Sequence, residues 1–151
     1  KEKGVNFELR IGGEGKLRKV LENKITDYHL EKEVYLDGFV NQPESFLDKI
    51  DIFLLPSLWE GFGYVLAEAM LLKKPVIAFN ISSNPELVID NKNGYLTKKN
   101  SISEFTERII DLIDNPEKQK EMGEFGFNKI VKEYDATLIR KQFEDYLSTL
   151  P

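Results

Sequence analysis

Residues 52–72, IFLLPSLWEGFGYVLAEAMLL, join a short apolar run to a longer apolar segment through a loop that contains two glycines. Residues 52–55 predict a buried strand, and residues 64–72 predict a buried helix. Gly61-Phe62-Gly63 therefore opens a helix at the carboxyl end of a strand. Unpaired backbone N–H groups and the positive end of the helix dipole meet at such a junction, and together they favour a bound phosphate group.

Two glutamates bracket this loop, because Glu60 precedes the glycines and Glu68 lies in the predicted helix. No cation lies three or four residues from Glu68, so no helical ion pair explains a carboxylate among apolar neighbours. One interpretation is a hydrogen-bonding partner elsewhere in the fold, or a tilt toward solvent. The other is a carboxylate that accepts hydrogen bonds from a diol, as acidic residues do with ribose in dinucleotide-binding folds. For Glu60 taken alone, a solvated loop position is the simpler interpretation.

Composition excludes several classes of protein. A chain of 151 residues with 41% hydrophobic residues can bury a core and indicates one domain. The absence of cysteine excludes disulfides and thiolate metal sites, and it fits a cytoplasmic location. A net charge of −5 argues against nucleic acid binding. The sequence has neither a signal-peptide pattern nor an apolar stretch of membrane-spanning length. Lys1 is not a native start, so we expect a fragment of a longer protein.

Short strands alternate with helices along the chain, which predicts an α/β fold with a parallel sheet covered by helices on both faces. Ligands of such sheets bind at the carboxyl ends of the strands, where the glycine loop lies. The predicted strands are residues 5–11, 34–36, 52–55, 76–79 and 95–97, and the predicted helices are residues 16–28, 43–48, 63–72, 84–89, 103–113, 116–133 and 136–150.

Glu60 and Glu68 have E-x7-E spacing with Gly-Phe-Gly after the first glutamate, and this combination resembles the retaining glycosyltransferases of the GT-B fold, family 4 in particular. Further blocks occur in the family's order: residues 11–15 (IGGEG), 34–40 (VYLDGFV), 74–78 (KPVIA), 84–88 (NPELV) and 93–96 (NGYL). The resemblance covers roughly residues 5–150 and implies the C-terminal domain, a Rossmann-like parallel sheet that binds a nucleotide sugar. It implies one domain over residues 1–151, with the N-terminal acceptor domain and the domain's own first strand and helix outside this chain.

The resemblance also implies the donor-binding residues, which are Gly12, Gly13, Phe39, Val40, Glu60, Gly61, Phe62, Gly63 and Glu68. The amides of residues 61–63 hold the distal phosphate, Glu68 takes the ribose diol, and Glu60 contacts the transferred sugar near the reacting carbon, which makes it the catalytic candidate. The backbone of residues 39–40 contacts the nucleobase. The turn at residues 12–13 lets the chain approach the nucleotide, although an ordinary strand-to-helix turn explains it equally well.

No cofactor and no metal are expected, because the sequence has no Asp-x-Asp and no metal-ligand spacing. The family's diphosphate-binding Arg and Lys lie upstream of the strand that opens this chain, and neither Arg10 nor Lys16 matches them. Asn84 is expected to cap the following helix. Ser82 and Ser83 are the alternative contacts to the donor sugar.

The expected function is donor binding for transfer of a sugar from a UDP-, GDP- or ADP-linked donor, and the isolated chain is expected to be inactive. The alternatives are a non-catalytic nucleotide-binding module and an epimerase or phosphorylase of related fold. The expected partners are the nucleotide sugar and the N-terminal domain, with peripheral association of the full-length enzyme at the inner face of the cell membrane. The last helix carries an apolar stripe that favours packing on its own sheet. The resemblance implies instead that this helix crosses to the N-terminal domain.

Overall fold

The computed structural model describes residues 4–149. They form two compact units that divide after Phe46. The predicted α/β class is confirmed, because the paired strands are parallel and helices cover both sides. The elements are β1 (Leu9–Gly12), α1 (Arg18–Asp27), β2 (Val34–Gly38), α2 (Pro43–Leu47), β3 (Phe53–Leu55), α3 (Tyr64–Leu71), β4 (Val76–Phe79), α4 (Asn84–Leu87), β5 (Gly94–Thr97), α5 (Ile102–Asp114), α6 (Pro116–Glu133) and α7 (Ala136–Ser148).

In the first unit, β1 and β2 form a parallel pair in which Leu9 lies opposite Val34. The predicted start of this strand at residue 5 is wrong. Leu9 is the first residue with a partner on β2, so residues 5–8 have no ladder to join, although their side chains alternate between half-buried and exposed. The register shifts between Ile11 and Gly12, where the strand gives way to the predicted turn.

In the second unit, the three strands pair in the order β3, β4, β5. All four residues of the central strand β4 are buried, as expected for a parallel strand with neighbours on both edges and helices on its faces. The predicted end of the last helix at residue 150 lies outside the described residues. The carboxyl ends of the three strands point the same way, so the loops that follow β3 and β4 leave the same edge of the sheet.

The core of the second unit contains residues from two strands and two helices. Ile77 of β4, Tyr95 of β5, Leu112 of α5 and Met122 of α6 form one buried cluster. Burial of a large apolar side chain stabilises the fold by about 1.5–3 kcal/mol. This cluster therefore fixes α5 and α6 against the sheet.

Tyr95 also takes part in a hydrogen-bond network at the edge of this core. Its hydroxyl donates a hydrogen bond to the carboxylate of Asp111, which also accepts from Lys118 Nζ at 2.8 Å. The hydrogen bond from Lys118, and then that from Tyr95, lowers the pKa of Asp111 below its ordinary value. Burial, and then the bond to Asp111, raises the pKa of Tyr95. The network joins β5, α5 and the first turns of α6.

Helix α6 approaches the end of α3 very closely at Gly123. A Cβ atom on Gly123 would lie 2.0 Å from the carbonyl oxygen of Lys73, which is two residues beyond α3. No side chain fits at that distance, so the contact requires glycine. The close approach fixes where α3 lies, and α3 begins at the predicted phosphate-binding loop.

Among residues 4–149, no helix combines the length and the apolar character needed to cross a bilayer.

Candidate functional site

The loop between β3 and α3 ends in a glycine with a left-handed backbone. Gly63 has φ 57° and ψ 40° at the N-cap of α3, and the helix begins at Tyr64 as the sequence predicts. A Cβ atom at Gly63 would lie 3.2 Å from both Asn84 Oδ1 and Leu66 Cδ1. Both the backbone conformation and the packing therefore favour glycine here. Gly61, in contrast, is exposed, and a Cβ atom at this position would have no neighbour within 4 Å.

The segment after β4 holds this loop in place. Ser83 is buried, and its hydroxyl donates a 2.6 Å hydrogen bond to the carbonyl oxygen of Gly61. Asn84 is fully buried, and its side-chain amide donates to the carbonyl oxygen of Phe79 at 2.9 Å. The expectation that Asn84 caps α4 is wrong, because Ser83 occupies the N-cap position and Asn84 is the first helical residue. Its amide instead closes the turn at the end of β4.

Glu68 lies on the solvent side of α3. The buried residues of this helix are Leu66, Ala69 and Met70, whereas Tyr64 and Glu68 are exposed. The prediction of a buried helix is therefore wrong for this face of α3, and Glu68 tilts toward solvent, which was one of the interpretations left open by the sequence. Tyr64, Glu68 and Leu71 follow one another at helical spacing on the exposed face, and this arrangement leaves the carboxylate hydrated.

Glu60 is half-buried in the loop before the glycines. Within residues 4–149, the side-chain carboxylates of Glu60 and Glu68 make no hydrogen bond and no ion pair with another residue. Both carboxylates can therefore accept hydrogen bonds from a ligand. This is the property that sugar and ribose hydroxyls require of an acceptor.

In the first unit, the predicted residues at the ends of β1 and β2 lie together. The amide of Gly13 donates a 2.6 Å hydrogen bond to the carbonyl oxygen of Gly38. A Cβ atom on Gly12 would lie 2.7 Å from Val40 Cγ2, so the two turns are in contact. The ring of Phe39 is 72% exposed. The structure thus brings Gly12, Gly13 and Val40 into one cluster with Phe39 at its surface.

Several neighbours of the loop were not predicted from the sequence as site residues. The ring of Phe62 lies between Tyr64 and Tyr134, with centroid distances of 5.0 Å and 5.9 Å. Asn93, part of a block that matches the family, is buried, and its side chain binds the backbone at Leu87 and Ile89. Asn93 therefore has a structural role. Tyr134 lacks any motif, so only the packing of α6 reveals it.

The described residues 4–149 contain no group of three or more His, Cys, Asp or Glu side chains arranged to hold a metal ion.

The apolar stripe of α7 is exposed. Ile139, Phe143, Tyr146 and Leu147 all face solvent, and no residue of the helix is buried. The expectation that this stripe packs on its own sheet is therefore wrong for residues 136–148. The cap of the helix is well formed, because Asp135 accepts hydrogen bonds from the amides of Thr137 and Leu138.

Solved structures share this fold. A variant of TarM from S. aureus, in complex with fondaparinux, alpha-GlcNAc-glycerol and UDP, matches 95% of this chain with a TM-score of 0.89 and 30% identity. Anabaena HepE in complex with UDP and glucose matches 95% of the chain with a TM-score of 0.85 and 28% identity. The chain covers 29% of TarM and 41% of HepE. The architecture is that of GT-B glycosyltransferases.

The chain belongs to the family of glycosyl transferases group 1, whose profile matches residues 1–129. It is 32% identical over 144 residues to the poly(ribitol-phosphate) alpha-N-acetylglucosaminyltransferase of Staphylococcus aureus strain COL. That match covers 95% of this chain and 29% of the relative, so the chain spans less than a third of the relative's length. The resemblance of the sequence to glycosyltransferases is confirmed. The roles of individual residues stay predictions.

Proposed function

We propose that this chain is the donor-binding domain of a retaining glycosyltransferase, which transfers a sugar from a nucleotide sugar to a glycan, lipid-linked or other acceptor. The observation that carries the proposal is the glycine loop of residues 61–63. It opens α3 and has an unpartnered glutamate on each side, in a chain of this family. The UDP in the TarM and HepE structures supports a nucleotide-linked donor.

The phosphate-binding role rests on the geometry of the loop. Gly63 turns the chain into α3, and the first helical amide with a partner in the preceding turn is that of Leu66, which donates to the carbonyl oxygen of Gly63 at 2.8 Å, so the amides before it are open to a ligand. Ser83 holds the carbonyl oxygen of Gly61 on the protein side. The amides of Gly61, Phe62 and Gly63 are then the donors for the distal phosphate, and the helix dipole adds to the attraction. We propose that no metal ion and no cofactor takes part.

The two glutamates have different proposed roles. Glu68 is one turn into α3 and exposed, which suits a carboxylate that accepts both hydroxyls of a ribose. Glu60 lies on the other side of the glycines and is assigned to the hydroxyls of the transferred sugar, near the reacting carbon. Glu60 is therefore the proposed catalytic residue, acting by orienting the sugar rather than as a nucleophile.

The cluster in the first unit is proposed to serve the nucleotide through its backbone. The carbonyl and amide groups at Phe39 and Val40 are assigned to the nucleobase, and the turn at Gly12 and Gly13 to close approach of the chain. The reaction is proposed to retain configuration. Support comes from the alpha linkage in the names of the TarM ligand and of the S. aureus relative. If the donor sugar is α-linked to its nucleotide, an α-linked product means that the configuration is retained.

The N-terminal domain of the same protein is the proposed partner of α7, because a contiguous exposed apolar stripe is typical of a surface that binds another domain. Residues 1–151 are proposed to act as one domain of that protein. The proposed location is the cytoplasm, with the longer enzyme peripheral at the inner face of the cell membrane.

Donor hydrolysis by the chain joined to its N-terminal domain tests the proposal. A glycosyltransferase releases sugar slowly from its matching donor, and NMR shows whether the first anomer formed keeps the donor's configuration. Glu60→Gln should abolish the release while nucleoside diphosphate still binds. A protein that binds UDP, GDP or ADP with no release from any of their sugars would instead be a nucleotide-binding module. Inverted product would refute retention.

A further inference from the structure

Tyr134 contacts the glycine loop from a distant part of the chain. Its ring centroid lies 5.9 Å from that of Phe62, with the planes at 53°, which is within the favourable range for aromatic pairs. Phe62 is half-buried and is the middle residue of the loop. The pair spans 72 residues of sequence, so only the fold brings it together.

Tyr134 is itself held at both ends. Its amide donates to the carbonyl oxygen of Ile130 at 2.9 Å, and this bond ends α6. Its hydroxyl donates to the carbonyl oxygen of Glu86 on α4 at 3.3 Å. The ammonium group of Lys129, a buried side chain, lies 5.4 Å from the ring centroid. The ring of Tyr134 is thus fixed to α4 and α6, and it restricts the movement of the Phe62 ring that packs against it.

Ordering this loop is costly because two of its three residues are glycine. Gly61 and Gly63 flank Phe62, and glycine has more backbone freedom to lose than any other residue. Besides the Ser83 hydroxyl on the Gly61 carbonyl and the packing of Gly63, the ring of Phe62 links the loop to Tyr64 and Tyr134. A loop ordered before the ligand arrives binds more tightly, because less ordering entropy is lost on binding.

We propose that Tyr134 is a positioning residue for the phosphate-binding loop: it orders the amides of residues 61–63 through the ring of Phe62 without touching the nucleotide. The inference rests on the proposed donor-binding role of that loop. The ring carries the effect, and the hydroxyl serves to orient the ring.

The chain contains a reporter for this effect. Trp59 is the only tryptophan, lies two residues before Gly61 and is 77% exposed, so its fluorescence anisotropy follows the loop. Tyr134→Ala removes the ring, Tyr134→Leu keeps most of the volume, and Tyr134→Phe keeps the ring. Tyr28→Ala, at the exposed C-cap of α1, is the matched control.

The expected result is a loss of UDP affinity of about two- to tenfold in Tyr134→Ala and Tyr134→Leu, the range of one aromatic pair. Trp59 anisotropy should fall in the same two variants. Tyr28→Ala should match the parent chain in both measurements, and Tyr134→Phe, which keeps the ring and loses only the bond to Glu86, should show a smaller loss than Tyr134→Leu. In a Phe62→Ala background, Tyr134→Leu should have no further effect on UDP binding, because the ring it supports is gone.

A lower melting temperature in Tyr134→Leu with unchanged UDP affinity and unchanged Trp59 anisotropy would overturn the proposal. So would an equal loss in the Phe62→Ala background. If the parent chain binds none of UDP, GDP and ADP, the proposed function fails. Trp59 anisotropy across the same variants then still decides whether Tyr134 orders the loop.

Discussion

Replacing Gly123 with alanine adds one methyl group where α6 passes the end of α3. The new Cβ would lie 2.0 Å from the carbonyl oxygen of Lys73 and 2.7 Å from its carbonyl carbon. These are backbone atoms, so no side chain can rotate away and the two segments must separate. Alanine alone would favour the helix by about 1 kcal/mol over glycine. Overpacking typically costs about 1–3 kcal/mol, and at this distance we expect the steric cost to dominate.

With a steric cost at the upper end of that range, less the gain of about 1 kcal/mol in helix propensity, the expected net result is a fall of about 2 kcal/mol in the free energy of unfolding. For a chain of this size, that lowers the melting temperature by about 4–8 °C. Urea unfolding followed by circular dichroism measures the change. Asn128→Ala, at an exposed position on the same helix, is the control and should be neutral or slightly stabilising. A Gly123→Ala chain as stable as its parent would refute the close approach of α6 and α3.

Three further outcomes are expected. Nucleotide binding should persist in EDTA, because the proposed phosphate donors are backbone amides; binding that disappears in EDTA and returns with magnesium would contradict this. The 151-residue chain alone should transfer no sugar, and multiple turnover with any acceptor would show that it needs no second domain. Stability should be lost as pH falls through the folded pKa of Asp111, which Lys118 and then Tyr95 hold below the ordinary 3.8. Asp111→Asn should make the free energy of unfolding depend less on pH in this acidic range. An unchanged pH dependence would show that other groups cause the loss of stability.

The order of strands and helices could be predicted because apolar periodicity and turn residues are local signals. β4 (Val76–Phe79) and α6 (Pro116–Glu133) begin and end where the sequence predicts. The first strand shows the limit. Residues 5–11 alternate like a strand, yet only the residues opposite β2 pair with it. The sequence of the segment alone does not show where its pairing partner begins.

The site shows the same division between local and tertiary information. The left-handed Gly63 opening α3 follows from a Gly-x-Gly before an apolar run. The exposure of Glu68 does not, because it depends on which face of α3 meets the sheet and α6. The Ser83 bond to Gly61 and the Tyr134 ring on Phe62 join residues 22 and 72 positions apart, so they follow from packing alone.

The central claim is that this chain binds the nucleotide of a donor with Glu68 on the ribose and Glu60 on the sugar. Calorimetric titration of the parent chain, Glu68→Gln and Glu60→Gln with UDP, GDP and ADP tests it most directly. A hydrogen bond to a charged group contributes roughly 1.5–3 kcal/mol. Glu68→Gln should therefore lower affinity for the matching nucleotide about tenfold or more, while Glu60→Gln leaves it nearly unchanged. No binding to any of the three nucleotides, equal losses in both variants, or a loss only in Glu60→Gln would contradict the claim.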